Sequence, residues 1–328
     1  MNHFAAHAEP YALGTFRTGY REFAGLVLNG RVLPVDDAAG LNRPSVRELI
    51  EHWGAVAPEL AMRAADRHAE GFDLAALEVR APVEPRQIFQ AGANYPGLKV
   101  ADHTGSPQAT ERLPDDTCEP YVFTGAVSAV CGPYDDVILP TGTNKNDFEV
   151  ELAAVIGRPT RRVAPEDALT HVMGYTIVND ITTRDRVWRR DVPGLGPDWF
   201  ADWFRAKNSP TFLPTGPFLV PAEFVGDPMD LRLVVRRGGT VVLDDSTRNM
   251  IFDVARLVSY CSQIATLLPG DLVLTGSPNG HGARNDLPDG SFLQPGDVIE
   301  AEITGLGVQR NGCVAEQSRV APPLRPTA

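Results

Sequence analysis

Carboxylates recur at every second position in the run Asp147-Phe-Glu-Val-Glu-Leu-Ala-Ala-Val-Ile-Gly157. In an extended strand alternate side chains share a face, so Asp147, Glu149 and Glu151 point one way while Phe148, Val150 and Leu152 point the other. Three carboxylates on one face repel one another unless solvent or a cation stands between them. A solvated acidic edge meets that condition, because charge commonly marks exposed edge strands. The apolar continuation Leu152 to Ile156, stopped by Gly157, instead reads as a strand entering a core. A second apolar run, Gly174-Tyr-Thr-Ile-Val-Asn-Asp180, ends in a further acid. Oxygen ligands from two strand ends suit a hard divalent cation, Mg²⁺ or Mn²⁺, with positions left for water and substrate. Taken singly, Asp180 reads as a turn residue, Lys207 as a surface lysine and Thr275-Gly-Ser-Pro278 as an ordinary turn.

Taken together these residues form a series. Gly92-Ala-Asn94-Tyr95, the Asp-x-Glu-x-Glu-Leu run, Gly174-Tyr175, Asn179-Asp180, Arg184-Asp185, Lys207, Gly216-Pro217, Pro269-Gly270-Asp271, Thr275-Gly276-Ser277-Pro278 and Gly296-Asp297 follow one another along the chain. In order and approximate spacing the series resembles the fumarylacetoacetate hydrolase family over about residues 83 to 318. The resemblance implies a mixed, β-rich α+β fold, a β-roll or sandwich around a divalent metal, commonly assembled as a homodimer. It implies substrates with a 2-oxo or 2,4-dioxo acid unit whose oxygens chelate the metal. Carried across by motif, the metal ligands are Glu149, Glu151 and Asp180. Lys207 faces the substrate, where an ammonium stabilises enolate charge. Asn94, Tyr95, Arg184, Thr275 and Gly276 fall at substrate-holding positions.

The chain also departs from that pattern. Many members read Asn-Tyr-x-x-His, whose histidine activates water, whereas here Asn94-Tyr95 is followed by Pro96-Gly97-Leu98. His103, five residues beyond Leu98, and His281, just after the Thr275 turn, are the two candidate bases. Gly125 replaces the lysine that relatives often carry after Val-Phe-Thr, and Val187 replaces the glutamine of Arg-Asp-x-Gln. The first reading is therefore a metal-dependent hydrolase that cleaves a carbon–carbon bond in an acylpyruvate or fumarylpyruvate. The second keeps metal and enolate but omits attacking water, giving a decarboxylase, hydratase or keto–enol isomerase. A third is a catalytically silent scaffold, which has no physical need for clustered acids and Lys207.

Such a site needs strands whose ends converge, and the chain supplies them. Beyond the Pro-punctuated joint Ala81-Pro-Val-Glu-Pro85 the pattern is one of short apolar runs between Gly and Pro turns: 149–156, 172–178, 231–236, 272–275 and 298–303. Residues 249–268 carry apolar residues at helical spacing. Before the joint, residues 1–82 form a small leading α/β unit, resembling an appended domain of many members. In it Asn29-Gly30 predicts a type I′ hairpin, Ser45-Val-Arg-Glu48 a capping box, and Pro58 to Glu70 a second amphipathic helix. The segment from Trp188 to Phe212, rich in aromatics, is a long irregular excursion whose part between Asp185 and Lys207 reads equally as a lid over the site or as a loop packed on a dimer neighbour; residues 319–328 are a tail.

The 328 residues suffice for a large core. Hydrophobic residues at 43% and charged residues at 22% match a folded globular chain and exclude disorder or a coiled coil. A net charge of -12 argues against nucleic acid as partner. No apolar run has the length of a membrane span and no signal-peptide pattern opens the chain, so a cytoplasmic location without membrane contact is expected. Cys118, Cys131, Cys261 and Cys313 lack metal or redox spacing and are expected to be buried thiols.

Overall fold

Asn29 and Gly30 adopt φ values of 48° and 78°, the left-handed pair that a two-residue hairpin demands. They join β2 (Arg21–Leu28) to β3 (Arg31–Pro34), and β1 (Ala12–Thr18) pairs with the other side of β2. Short strands β4 (Phe72–Asp73) and β5 (Glu78–Val79) complete a five-stranded sheet in the order β4-β3-β2-β1-β5. Helix α1 (Val46–Glu51) starts at the expected capping box: Ser45 Oγ accepts from Glu48 N, and the Glu48 carboxylate accepts from Ser45 N at 2.8 Å. The second helix differs from expectation. α2 spans Trp53–Ala65, with Pro58 inside rather than at its start, because the chain re-enters helix directly after His52. These elements belong to a computed structural model that describes residues 10–66, 68–96, 99–101, 107–109, 118–189, 200–278 and 291–317, with 99–101 and 107–109 as backbone alone.

The larger part of the chain is built on two further sheets. One contains β6 (Ile88–Gly92), β7 (Tyr121–Thr124), β9 (Val150–Ile156), β10 (Val172–Asn179), β11 (Val220–Pro221) and β14 (Leu272–Leu274), in the order β7-β6-β14-β9-β10-β11. Only the β14–β6 pairing is parallel. The other contains β8 (Val137–Leu139), β12 (Arg232–Arg237), β13 (Thr240–Ser246), β15 (Val298–Ile303) and β16 (Gly307–Ala315), in the order β8-β16-β15-β12-β13. α3 (Trp203–Lys207) is a short helix beside the first of these sheets; α4 (Val254–Ile264) is N-capped by Asp253, which accepts from Arg256 N. That cap explains why α4 is shorter than the 249–268 periodicity.

Every residue of β9 and β10 is buried. Strands covered on both faces read as continuous apolar runs, as these do. The solvated-edge reading of the acidic run is therefore overturned: β9 lies between β14 and β10, inside the sheet. Buried apolar residues from both sides of the 81–85 joint, among them Leu13, Leu26, Leu49, Val83, Leu152 and Leu274, form one continuous cluster. Leu13 and Leu219 exchange two backbone hydrogen bonds of 2.8 Å across it. The four cysteines are free thiols, two buried and two half-buried. No described helix is long and apolar enough to cross a membrane.

Candidate metal centre

The strand ends β9 and β10 are tied where the acids emerge. Asp180 N donates to Glu149 O at 2.7 Å, and Glu149 N donates to Asn179 Oδ1 at 3.0 Å. One carboxylate oxygen from each of Glu149, Glu151 and Asp180 then lies within 4.8 Å of the others. Asp147 does not join them. Regular strand geometry begins only at Val150, and Asp147 instead sits opposite Thr182 in a two-residue bridge. There its carboxylate accepts from Arg184 Nε at 3.1 Å and Nη2 at 3.0 Å.

Two buried cations serve this group. The Asp202 side chain caps α3 by accepting from Arg205 N, and the helix delivers Lys207, only 3% exposed, to the acids. Lys207 Nζ donates to Glu149 Oε2 at 2.5 Å and also to Asp180 Oδ2. It lies 5.7 Å from the ring centroid of Phe123 and 5.8 Å from that of Trp203. Those rings stack at 5.2 Å, and Trp203 Nε1 donates to Tyr121 Oη at 2.6 Å. Arg184, paired with Asp147, also donates to Glu149.

The charges do not balance. Among the described residues, the four carboxyl groups of Asp147, Glu149, Glu151 and Asp180 stand with two cations, Arg184 and Lys207, a shortfall of positive charge that a divalent cation would fill. Burial and then the neighbouring Asp180 carboxylate push the Glu151 carboxyl well above the usual range. Burial raises Asp180 to about 6, because Lys207 only partly offsets it and Glu149 adds to it. Glu149 behaves oppositely: burial would raise it, but Arg184 and Lys207 outweigh burial and hold it at about 2. Among the described residues Glu151 has no ion-pair partner, only the Gly276 N–H at 2.6 Å. A compact all-oxygen donor set with uncompensated charge fits a hard divalent cation. A large cavity of about 1000 Å³ lies elsewhere, lined by residues such as Tyr20, Arg47, Pro82 and Val130, so charge rather than hollowness locates this site.

The other expected site residues take varied places. Asn94 is 2% exposed and clamps the frame: its amide nitrogen donates to Thr275 O and Phe252 O, and its oxygen accepts from Phe252 N. Tyr95 is equally buried; burial and then Glu151 hold its phenol well above its ordinary range. The Thr275 hydroxyl and N–H both donate to Leu152 O, at 2.9 and 3.1 Å, which leaves Gly276 as the residue of the turn that addresses an acid. His103, His281 and residues 190–199 of the candidate lid lie outside the described residues. Val187 is fully buried. The sequence reading missed Gln90, whose Nε2 donates to Asp180 Oδ1 at 2.7 Å. Its one sequence signal is a polar residue inside the apolar strand Ile88-Phe-Gln-Ala-Gly92.

Residues 87–314 match the family described as "Fumarylacetoacetate (FAA) hydrolase C-terminal". The chain belongs to the fumarylacetoacetate hydrolase family. Within it, the chain is 38% identical over 270 residues to a 2,4-didehydro-3-deoxy-L-rhamnonate hydrolase of Sphingomonas sp. (strain SKA58), covering 80% of this chain and 87% of that one. It is 36% identical over 247 residues to a mitochondrial oxaloacetate tautomerase, FAHD2A, of Homo sapiens, covering 73% and 74%. The maleylpyruvate hydrolase of Sphingobium sp. SYK-6, solved in complex with manganese (II) ion and pyruvate, superposes with a TM-score of 0.70 at 26% identity, covering 93% of this chain and all of that one. The β-rich fold expected from the motifs is thus the family's fold, and the chain is an enzyme of the fumarylacetoacetate hydrolase family.

Proposed function

We propose that this enzyme is a hydrolase dependent on Mg²⁺ or Mn²⁺ that cleaves the carbon–carbon bond of a 2,4-dioxo acid of the acylpyruvate or fumarylpyruvate kind. The observation that carries the reading is the buried Lys207 ammonium, hydrogen-bonded to two of the three clustered acids. Held by Glu149, Glu151 and Asp180, the metal supplies Lewis-acid polarisation of the 2-oxo acid oxygens. In the hydrolysis water adds to the 4-keto carbon and the C3–C4 bond breaks. One fragment leaves as a carboxylic acid, the other as an enolate that takes up a proton. Burial pulls the Lys207 pKa down, but Asp180 and Glu149 outweigh burial and hold it above its ordinary value. Lys207 Nζ, which donates to Glu149 and Asp180, is assigned as the donor that stabilises the enolate rather than as the base. The base is assigned to His103 or His281, and the turn of Thr275 and Gly276 to holding substrate oxygens.

A second reading, keto–enol isomerisation of a 2-oxo acid, is favoured by Val187: a buried apolar side chain stands where a water-directing glutamine is expected. The oxaloacetate tautomerase relative supports the same reading. Metal-loaded protein incubated with acylpyruvates and with oxaloacetate, with acid products identified by mass spectrometry and the keto–enol change followed by ultraviolet absorbance, separates the two. Two acids from an acylpyruvate are the expected result. An isomer, or carbon dioxide, with no second acid would transfer the assignment to the water-free reaction.

A further inference from the structure

Gln90 is 1% exposed and lies in β6, paired with Phe123 of β7 on one side and Leu274 of β14 on the other. Its Nε2 reaches Asp180 Oδ1 at 2.7 Å, while its Oε1 is buried with no hydrogen-bond partner among the described residues. The amide orientation is fixed by chemistry, because turning it over would set its oxygen against a carboxylate oxygen. A methionine or leucine would fill the same volume without stranding a buried acceptor. A glutamine held at this disadvantage serves for its donor, and the donor has one recipient, Asp180.

Gly125 supports the same conclusion from outside the strand. Its φ is not in the left-handed region, so its backbone does not call for glycine. What calls for glycine is Gln90: a Cβ at position 125 would stand 2.7 Å from Oε1 and 3.1 Å from Cδ. We propose that Gln90 is a positioning residue of the metal centre and that Gly125 is the gap that lets its amide reach Asp180. One oxygen of Asp180 is held by Gln90 and the other by Lys207, so the carboxylate cannot rotate out of the cluster with Glu149 and Glu151. The inference rests on Asp180 being a metal ligand.

The test is calorimetric titration of the metal-free, full-length protein with Mn²⁺ alone, which needs no substrate. Gln90→Met is expected to weaken Mn²⁺ binding by about 10- to 100-fold, the range for loss of a group that orients a ligand. The melting midpoint of the metal-free variant should move by less than about 2 °C, since one stranded polar atom is exchanged for another. Gly125→Ala should weaken binding several-fold in the native background and have no further effect in the Gln90→Ala background, because the added methyl acts through the amide. Affinity within twofold of the native protein for Gln90→Met would overturn the proposal. So would additive effects of Gly125→Ala and Gln90→Ala, or an affinity loss matched by a large drop in metal-free stability. Glu149→Ala and Asp180→Ala are titrated alongside. Retention of affinity in both overturns the ligand assignment itself, whereas loss in both with no change in Gln90→Met overturns the role of Gln90 alone.

Discussion

Lys207 competes with any cation for the oxygens it holds, and this sets apart two effects of removing it. Lys207→Met takes a positive charge from a pocket already in excess of negative charge, so Mn²⁺ affinity should stay level or rise. If the ammonium stabilises enolate charge, turnover of whichever 2-oxo acid the product assay shows to react should fall by about 10²- to 10³-fold. Parallel loss of metal affinity and turnover would make Lys207 a structural counter-ion instead. The residue also marks the limit of what the sequence says. Alternation and an apolar continuation are enough to bring Glu149, Glu151 and a cation together on paper. A lone lysine 58 residues beyond Glu149 carries no such pattern, and it enters only through the resemblance. Gln90 is hidden more deeply: one polar residue in an apolar strand has many explanations, and only the side-chain geometry selects Asp180 as its partner.

Strands and turns carry the next level of specification. The runs that became β9, β10 and β14 are legible because burial on two faces forces continuous hydrophobicity, whereas β15 buries alternate residues and β12 only its centre. What alternation misplaced was Asp147, since the chain leaves regular strand geometry before Val150 and hands that acid to Arg184. The turn after β14 shows how an element aims a backbone group. Gly276 has φ +83°, and a Cβ there would meet Asn94 Cβ at 3.0 Å and Ala91 O at 3.1 Å. Gly276→Ala is therefore both strained and crowded by backbone, with an expected loss of about 1–3 kcal/mol of stability. Denaturant midpoints at unchanged m-value check the loss. Because the Gly276 N–H is the hydrogen bond given to Glu151, metal affinity should fall as well. A variant with native stability and native affinity would show that the turn adapts without moving the N–H.

Across the whole molecule, the joint at Ala81–Pro85 separates two textures of sequence but not two interiors. Leu13, Leu26 and Leu49 from the leading sheet and helices share a cluster with Leu152 and Leu274 from the sheet that bears the acids. The Leu13–Leu219 bonds run next to β11, which pairs with β10, the strand that ends at Asp180. Composition and turn signals reveal a joint, yet burial across it depends on which faces meet, and no local pattern encodes that. The consequence is thermodynamic: if the leading unit completes the core, the two parts cannot melt separately. The full chain is expected to unfold in a single transition, with far-ultraviolet circular dichroism and tryptophan fluorescence coinciding. A chain starting at residue 83 would uncover the apolar residues that Leu13 and Leu49 now cover, and should fail to show a cooperative transition or remain soluble. Two resolved transitions in the full chain, or a cooperatively folded chain from residue 83 that binds Mn²⁺ with native affinity, would show that the acids are held by the larger part alone.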